Sequence, residues 1–408
     1  MGTPEMTNDA DAPSHDWMIV LLLSGAFVIN YTDRQVVFSI FPLLKRDLGF
    51  TDATLGAAGT AFTWTYSLMM PFSGFLADRF SRHRMVMLAL ILWSMATLAT
   101  GVSANVDQFL GSRILMGICE SLYVPAAIGL ITQAHAGETR SRALSVHGFA
   151  QFVGITLGGW FGGWSGEHMH WRQGFLLLGI VGALYAVVLK WKLRPASMFP
   201  SPKLESGASL GALLHSPSFL ALCGTFFSFC IMLWMLYAWL PSFIYERYQL
   251  SLAFSGLTAT LYLQASSAVG VLLGGWIGDL LSRRYPNGRL YVVIFSLLGC
   301  APFAAAIFSV HQLLLLKIAA CGFGLLAGSL APNTFSSLYD VAGPQHYGLA
   351  VALINSIGGL GAGFAILSTG ISKAMLGMHN LMYFAGALAA VCSLLLLLAV
   401  QTSRNHAG

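Results

Sequence analysis

The chain has 408 residues, of which 56% are hydrophobic and only 9% are charged, and its mean hydropathy is +0.71. Soluble domains carry about 25% charged residues, so this composition excludes a large soluble enzyme and predicts an all-α membrane protein. The net charge of +5 requires no nucleic-acid partner, because the placement of basic residues in a membrane protein accounts for it.

Apolar stretches long enough to cross a membrane, about 20 residues each, occur twelve times along the chain. They lie at about 17–44, 53–78, 85–104, 108–134, 142–165, 171–193, 217–245, 252–281, 290–309, 311–338, 347–373 and 379–401. The proline-containing polar segment 194–216 separates six spans from six. We therefore predict a cytoplasmic tail at 1–16, a six-helix bundle at 17–193, a cytoplasmic linker at 194–216, a second six-helix bundle at 217–401 and a cytoplasmic tail at 402–408.

Lysine and arginine residues are distributed unevenly between the two sides of the predicted membrane protein. Most of the 21 fall in connections on the same side as the N-terminus. Because cytoplasmic loops carry the excess of basic residues, both termini are predicted to be cytoplasmic. The first apolar stretch is too long for a cleavable signal peptide, so we expect a multi-pass protein of the plasma (inner) membrane.

Four charged residues interrupt the apolar spans: Asp33 and Arg34 in the first, and Arg113 and Glu120 in the fourth. A charge at bilayer depth costs at least ~2.5–3.5 kcal/mol on insertion scales, so these groups are expected to face one another or a water-filled cavity. Asp33 and Arg34 are consecutive and point about 100° apart on a helix, which gives them different surroundings. Arg113 and Glu120 lie about 10 Å apart along one helix, so each is expected to have partners elsewhere.

Two of these charges suit particular chemistry. The planar fork of Arg34 suits the recognition of a carboxylate through two parallel hydrogen bonds. A carboxyl group among apolar neighbours takes up a proton near neutral pH more readily than one in water, which makes Glu120 a candidate proton carrier. The alternative is a permanent packing network of all four charges, although such networks are costly to bury.

The two halves of the chain contain a sequence repeat. Gly74, Asp78, Ser81 and Arg82 recur 201 residues later as Gly275, Asp279, Ser282 and Arg283, and Gly117, Pro125 and Gly154 recur 207 residues later as Gly324, Pro332 and Gly361. Such duplication is an architecture of membrane transporters. Arg113 and Glu120 correspond to Ala320 and Ala327, so the charges are confined to the first half, which favours a working site there.

Two motifs in the first half resemble those of the major facilitator superfamily. The motif G-x-L-A-D-R-x-S-R-x-R runs from Gly74 to Arg84 after the second span, and R-x-x-x-G-x-x-E runs from Arg113 to Glu120 in the fourth. The resemblance covers essentially the whole chain. It implies twelve transmembrane helices in two pseudo-symmetric six-helix bundles around a central cavity, working by alternating access.

Within that superfamily the chain looks most like the organic anion:cation symporters, which include bacterial sugar-acid transporters and sialin. The similarity lies in N-Y-x-D-R at 30–34 and in single polar residues of later spans. It implies that Arg34 binds a substrate carboxylate, that Tyr66, Gln151 and Asn355 form hydrogen bonds with the substrate, and that Asp33 and Glu120 carry protons. Arg113 and His147 are expected to act as supporting charges, although His147 also suits a packing role. Trp234, Tyr237 and Trp239 are expected to form span packing and an outer aromatic belt, with a ligand cage as the alternative.

Charged residues at the cytoplasmic helix ends form a further candidate group. They are Asp78, Arg79, Arg82, Asp279 and Arg283. We expect them to act as a cytoplasmic gate, because the two aspartates recur in both halves and topology alone requires only the cations. The alternative is that these residues only determine topology.

The sequence therefore predicts a monomeric secondary transporter, not an enzyme, that carries a small organic anion, such as a sugar acid, together with a proton. Membrane lipids are its expected surroundings. The chain has no phosphate-binding G-x-x-x-x-G-K-[ST] motif and no His/Cys metal spacing, so no cofactor is expected besides the coupling proton. A spinster-like lysolipid carrier, a proton-coupled drug or metabolite exporter, and a non-transporting receptor or membrane enzyme remain open as alternatives.

Overall fold

The computed structural model describes residues 13–135, 138–193, 210–285, 287–343 and 346–407, and all regular elements in these ranges are helices. The first half contains α1 (Pro13–Ser39), α2 (Phe41–Leu48), α3 (Asp52–Arg79), α4 (Arg82–Gly101), α5 (Val106–Ser121), α6 (Tyr123–Ala134), α7 (Glu138–His168) and α8 (Trp171–Lys192). The second half contains α9 (Leu210–Leu214), α10 (Pro217–Tyr248), α11 (Leu252–Arg284), α12 (Gly288–Ser309), α13 (Leu313–Ala342), α14 (Tyr347–Leu376) and α15 (Met378–Ala407).

The ends of the helices differ by a few residues from the predicted domain boundaries. Helix α1 begins at Pro13, before the predicted first span, and α15 continues past residue 401. Most of the predicted linker 194–216, and residues 1–12 and 408 of the predicted tails, lie outside the described residues. The predicted first span corresponds to α1 followed by α2, and the fourth to α5 followed by α6, since each is interrupted at a single residue.

Nine helical segments in the described part of the chain are long and apolar enough to cross a membrane by length and composition. The three other long helices are α1, α3 and α7, and they fall short because they carry many polar residues, including Asp33, Arg34 and His147. A helix that lines a hydrated cavity needs polar residues on one face. All three helices belong to the first half, which makes them candidates for lining such a cavity.

The helix packing repeats between the two halves. In the first half α1 packs on α7, α3 on α5 and α4 on α8, while in the second half α10 packs on α14, α11 on α13 and α12 on α15. When each half is numbered as six spans, the first span packs on the fifth, the second on the fourth and the third on the sixth in both halves. The halves meet through α3 with α14 and α7 with α11, again as equivalent pairs. The predicted fold of two pseudo-symmetric six-helix bundles is confirmed.

Two glycines of the repeat explain how these pairs form. A Cβ atom added at Gly117 on α5 would lie 2.7 Å from the carbonyl oxygen of Phe62 on α3. A Cβ atom added at Gly324 on α13 would clash with the carbonyl oxygen of Leu263 on α11, 201 residues after Phe62. Small residues let two backbones approach closely inside a membrane. Gly117 thereby brings the Glu120 end of α5 against the middle of α3.

Candidate functional site

A cavity of about 430 Å³ lies between the two halves. Helices α1, α3, α6 and α7 form its wall on the first half, and α10, α13 and α14 form its wall on the second. The wall from the first half carries the charged residue and most of the polar residues, whereas the wall from the second half is mainly apolar. Its aromatic and polar lining residues are Phe27, Tyr31, Arg34, Phe62, Thr63, Tyr66, Ser67 and Gln151 from the first half and Phe226, Phe229, Trp234, Phe335, Asn355 and Ser356 from the second.

Arg34 and Glu120 form a buried ion pair at the wall of this cavity. The distance from Nε of Arg34 to Oε2 of Glu120 is 2.6 Å. Arg34 is 7% exposed and Glu120 is fully buried. Aromatic rings surround the guanidinium group, with ring centroids 4.2 Å (Tyr66), 4.7 Å (Tyr31) and 5.1 Å (Phe62) from its central carbon. The sequence singled out both charges, and the structure shows that they pair with each other.

The ion pair leaves part of each group unused. Among the described residues, Nη2 of Arg34 and Oε1 of Glu120 are buried without a hydrogen-bond partner. A buried donor without an acceptor is unfavourable. Arg34 lines the cavity, but this donor is buried, so it reaches an anionic ligand only when the side chain turns toward the cavity.

Asp33 lies on another side of α1. It is 1% exposed, and its Oδ2 accepts a hydrogen bond of 3.1 Å from Oγ1 of Thr97 on α4. It does not line the cavity that the structure describes. The expectation that the two consecutive residues have different surroundings therefore holds: Arg34 faces the cavity and Asp33 faces the interior of its own bundle.

Arg113 is buried among different neighbours from Glu120. Its Nη2 donates a hydrogen bond of 2.6 Å to Oγ1 of Thr100. Its guanidinium carbon lies 5.6 Å from the ring centroid of Phe109 and 5.7 Å from that of Phe175. These contacts tie α5 to α4 and α8, so the position of Arg113 fits a role in holding the bundle together.

The remaining residues predicted for the site differ in their access to the cavity. Tyr66, Gln151 and Asn355 all line it, although Nδ2 of Asn355 already donates to the carbonyl oxygen of Val351 at 2.9 Å. His147 is 4% exposed, does not line the described cavity and stacks on the ring of Phe27 at 4.4 Å. Within the described chain, neither ring nitrogen of His147 has a hydrogen-bond partner.

The residues of the predicted gate lie at the end of the molecule where α3 leads into α4. Arg82 lies 3.5 Å from Asp78 in the first half. In the second half Asp279 pairs at 2.8 Å with Arg289 of α12, so its partner is not Arg283, the residue that the repeat suggested. Arg79 stacks on Phe75 at 4.2 Å. The ion pairs of both aspartates are thus made within their own halves.

Contacts between the halves concentrate at the opposite end, which we call the closed end. There Asp52, the first residue of α3, pairs with Lys373 of α14 at 2.8 Å and with Lys45 at 2.5 Å. Lys373 also lies 4.3 Å from the ring centroid of Trp239 on α10. Nothing in the sequence marks Lys45 and Lys373 as partners of Asp52.

A second connection across the closed end joins α7 to α11. The carboxylate of Glu167 accepts hydrogen bonds from the backbone N–H groups of Leu252 at 2.5 Å and Ala253 at 3.4 Å. These are the first residues of α11, where a negative charge is favourable. No sequence pattern singles out Glu167. It resembles any polar residue at a helix end until the partner helix is placed beside it.

Comparison with known proteins agrees with this arrangement. The chain is 24% identical over 388 residues to the D-galactonate transporter of Escherichia coli, covering 87% of this chain and 88% of that protein. It is 25% identical over 417 residues to the gallate transporter of Pseudomonas putida, covering 92% and 91%. A bacterial homolog of the human lysosomal transporter Spinster, solved in an inward-facing and unoccupied conformation, has the same fold, with a TM-score of 0.83 at 19% identity over 96% of this chain and 98% of that one.

The family model described as Major Facilitator Superfamily matches residues 23–365, which run from α1 into α14 and include the Arg34–Glu120 pair. The match covers most of the chain and agrees with the two six-helix bundles around a cavity. The chain therefore belongs to the Major Facilitator Superfamily and is a multi-pass membrane transport protein, not an enzyme.

Proposed function

We propose that this protein is a secondary transporter that carries a small organic anion together with a proton by alternating access. The buried ion pair of Arg34 and Glu120 at the cavity wall is the observation on which this proposal rests. One member is the side chain best suited to a carboxylate, and the other can bind a proton. The names of the galactonate and gallate transporters, both of them carriers of carboxylates, support an anionic substrate.

The geometry supplies a way to couple the two solutes. When Glu120 is ionised, its carboxylate accepts a hydrogen bond from Nε of Arg34. The guanidinium group then cannot use Nε and Nη2 together to bind a second carboxylate. Protonation of Glu120 removes that charge, and Nε and Nη2 can then donate two parallel hydrogen bonds to a substrate carboxylate. Loss of the proton on the other side of the membrane restores the ion pair and displaces the anion. Proton and anion therefore bind and leave together.

The other site residues support this exchange in our proposal. Tyr66, Gln151 and Asn355 line the cavity and form hydrogen bonds with the bound anion. Asp33, held by Thr97, serves as a second proton carrier. Arg113 keeps α5 in place through Thr100.

Alternating access requires two ends that open in turn. We assign the closed end to the outside of the cell, and both termini and the linker to the cytoplasm, because most basic residues of the connections lie on the side of the termini. We place the protein in the inner membrane as a monomer. Asp78, Arg79, Arg82, Asp279 and Arg283 then form the cytoplasmic gate, whose contacts across the halves form when the closed end opens.

A second candidate function is favoured by one observation. The wall contributed by the second half is largely apolar and aromatic, as a carrier of amphipathic lipids requires. Such a carrier would bind lysolipid through this wall and would not depend on the fork of Arg34.

Uptake into proteoliposomes tests the main proposal. Labelled organic anions are screened with the outside acidic relative to the lumen, with protein-free liposomes as the control for passive entry. We expect accumulation of at least one carboxylate that stops when a protonophore collapses the pH gradient. Uptake of lysolipid alone, or accumulation unaffected by the protonophore, would contradict the proposal.

A further inference from the structure

We propose that the substrate is a monocarboxylate with a flat aromatic body, whose carboxylate binds Arg34 and whose ring lies against the aromatic wall of the second half. This inference rests on the proposed function and names its substrate class. We define the aromatic wall as Phe226, Phe229, Trp234 and Phe335, all of which line the cavity.

The aromatic wall is preformed, with Phe226 and Phe229 buried and Trp234 and Phe335 partly exposed. The rings of Phe226 and Phe335 lie 5.8 Å apart in an edge-to-face arrangement, and those of Phe226 and Phe229 lie 6.1 Å apart. Trp234 lines the cavity and is only partly buried, and its ring also packs edge-to-face on Tyr237 of the same helix at 5.8 Å. Aromatic faces and edges attract a further ring in offset or edge-to-face geometry. The wall therefore offers a stacking surface opposite the Arg34 side of the cavity.

Most polar groups of the cavity lie on the wall of the first half and few lie on the wall of the second. The hydroxyl of Thr63 donates to its own helix at Gly59, and Nδ2 of Asn355 donates to Val351. The groups that remain for a ligand are the side chains of Tyr31, Tyr66, Ser67 and Gln151 on the first half, and Ser356 and the carbonyl oxygen of Asn355 on the second. A sugar acid carries a hydroxyl on nearly every carbon, and hydroxyls buried against the aromatic wall would lose their hydrogen bonds to water without replacement.

The charges of the cavity favour a single carboxylate. Arg34 is the one charged residue among the lining residues that the structure describes. A second carboxylate on the substrate would lie against apolar side chains without a partner, which is strongly unfavourable. The volume of about 430 Å³ lies in the lower part of the range of about 300–1,000 Å³ for small-molecule pockets. It suits a compact ligand of one or two rings.

The two named relatives do not decide between these classes, because one is named for a sugar acid and the other for an aromatic acid. The difference in chemistry between the two walls of this cavity favours the aromatic acid. Arg34 fixes one end of the ligand, and the aromatic wall selects its body.

Calorimetric titration of the full-length protein in lipid nanodiscs tests the inference with four probes: benzoate, gluconate, propionate and lysophosphatidylcholine. We expect benzoate to bind about tenfold or more tightly than gluconate. Phe335→Leu and Phe226→Leu should each weaken benzoate binding about fivefold, because each removes one ring contact, and should leave propionate binding unchanged. Phe295→Leu is the matched control, since Phe295 is 67% exposed on α12 and should not affect either ligand.

The outcomes separate this inference from the function on which it rests. Gluconate binding as tightly as benzoate, with both lost in Arg34→Lys, overturns the aromatic substrate and leaves anion transport standing. Binding of lysophosphatidylcholine without any carboxylate overturns both. Retained propionate binding in the two phenylalanine variants shows that they are folded, so unchanged benzoate binding in them overturns the role of the aromatic wall.

Discussion

Arg34 and Glu120 are the pair on which the account depends at the level of single residues. The sequence predicted that four charges lie inside the membrane, because their apolar flanks are unmistakable. It could not predict that Arg34 forms an ion pair with Glu120 while Arg113 donates a hydrogen bond to Thr100. That choice depends on the rotation of α1 and α5 about their axes, and closely spaced charges on two helices permit more than one pairing. The position of His147 could not be predicted either, because only the packing of the helices shows that its ring stacks on Phe27 and does not line the cavity.

Replacement of Arg34 by lysine tests the carboxylate clamp. Lysine keeps the charge but loses the planar fork and the contacts with three aromatic rings, so we predict that anion affinity falls about tenfold or more. The measurement is the dissociation constant of the transported anion by calorimetry. Arg113→Lys is the control, because Arg113 is buried away from the cavity, and its effect on affinity should be smaller. Equal affinity in wild type and Arg34→Lys would rule out the clamp.

At the scale of helices, the two ends of the molecule differ in how the halves are joined. The closed end has ion pairs and backbone contacts between α3 and α14 and between α7 and α11. At the other end, the ion pairs of Asp78 and Asp279 stay within their halves. The sequence predicted the second group from a repeated motif and missed the first, because contacts between distant helices leave no local pattern.

Lys373→Met tests the closed end. Lys373 joins the two halves through Asp52, so its loss should shift the population toward the form that is open at this end. The measurement is the distribution of distances between spin labels at Val102 and Met375, exposed positions of the two halves, with longer distances expected in the variant. Lys45→Met is a close control, because Lys45 pairs with the same carboxylate from within the first half. Equal distributions in all three proteins would show that the Asp52–Lys373 pair does not hold this end closed.

Asp78→Asn and Asp279→Asn test the predicted cytoplasmic gate. If these carboxylates stabilise the closed form of their end, losing one contact of ~1–3 kcal/mol should lower the population of that form and slow transport. Spin labels at Phe80 and Tyr285, exposed at the same end, report the opening as a shift to longer distances. Unchanged distributions and rates in both variants would leave these residues with a role in topology alone.

For the whole molecule, the sequence was sufficient for the architecture and insufficient for the chemistry of the cavity. Hydropathy and the repeat predicted two equivalent bundles, and the contacts of Gly117 and Gly324 show why the repeat has a structural meaning. The aromatic wall could not be predicted, because phenylalanines in membrane spans face lipid, core or cavity with the same local sequence. Phe295 and Phe335 are examples of two such positions.

We propose that proton and anion cross the membrane together, and a lumenal pH dye in proteoliposomes measures this coupling. With no initial pH gradient, adding the transported anion outside should acidify the lumen of vesicles with wild-type protein and not that of protein-free vesicles. Glu120→Gln mimics the permanently protonated state, so it should still exchange labelled anion across the membrane while the lumen acidifies far more slowly than with wild type. Anion entry without acidification in wild type, or acidification by Glu120→Gln at the wild-type rate, would contradict the account.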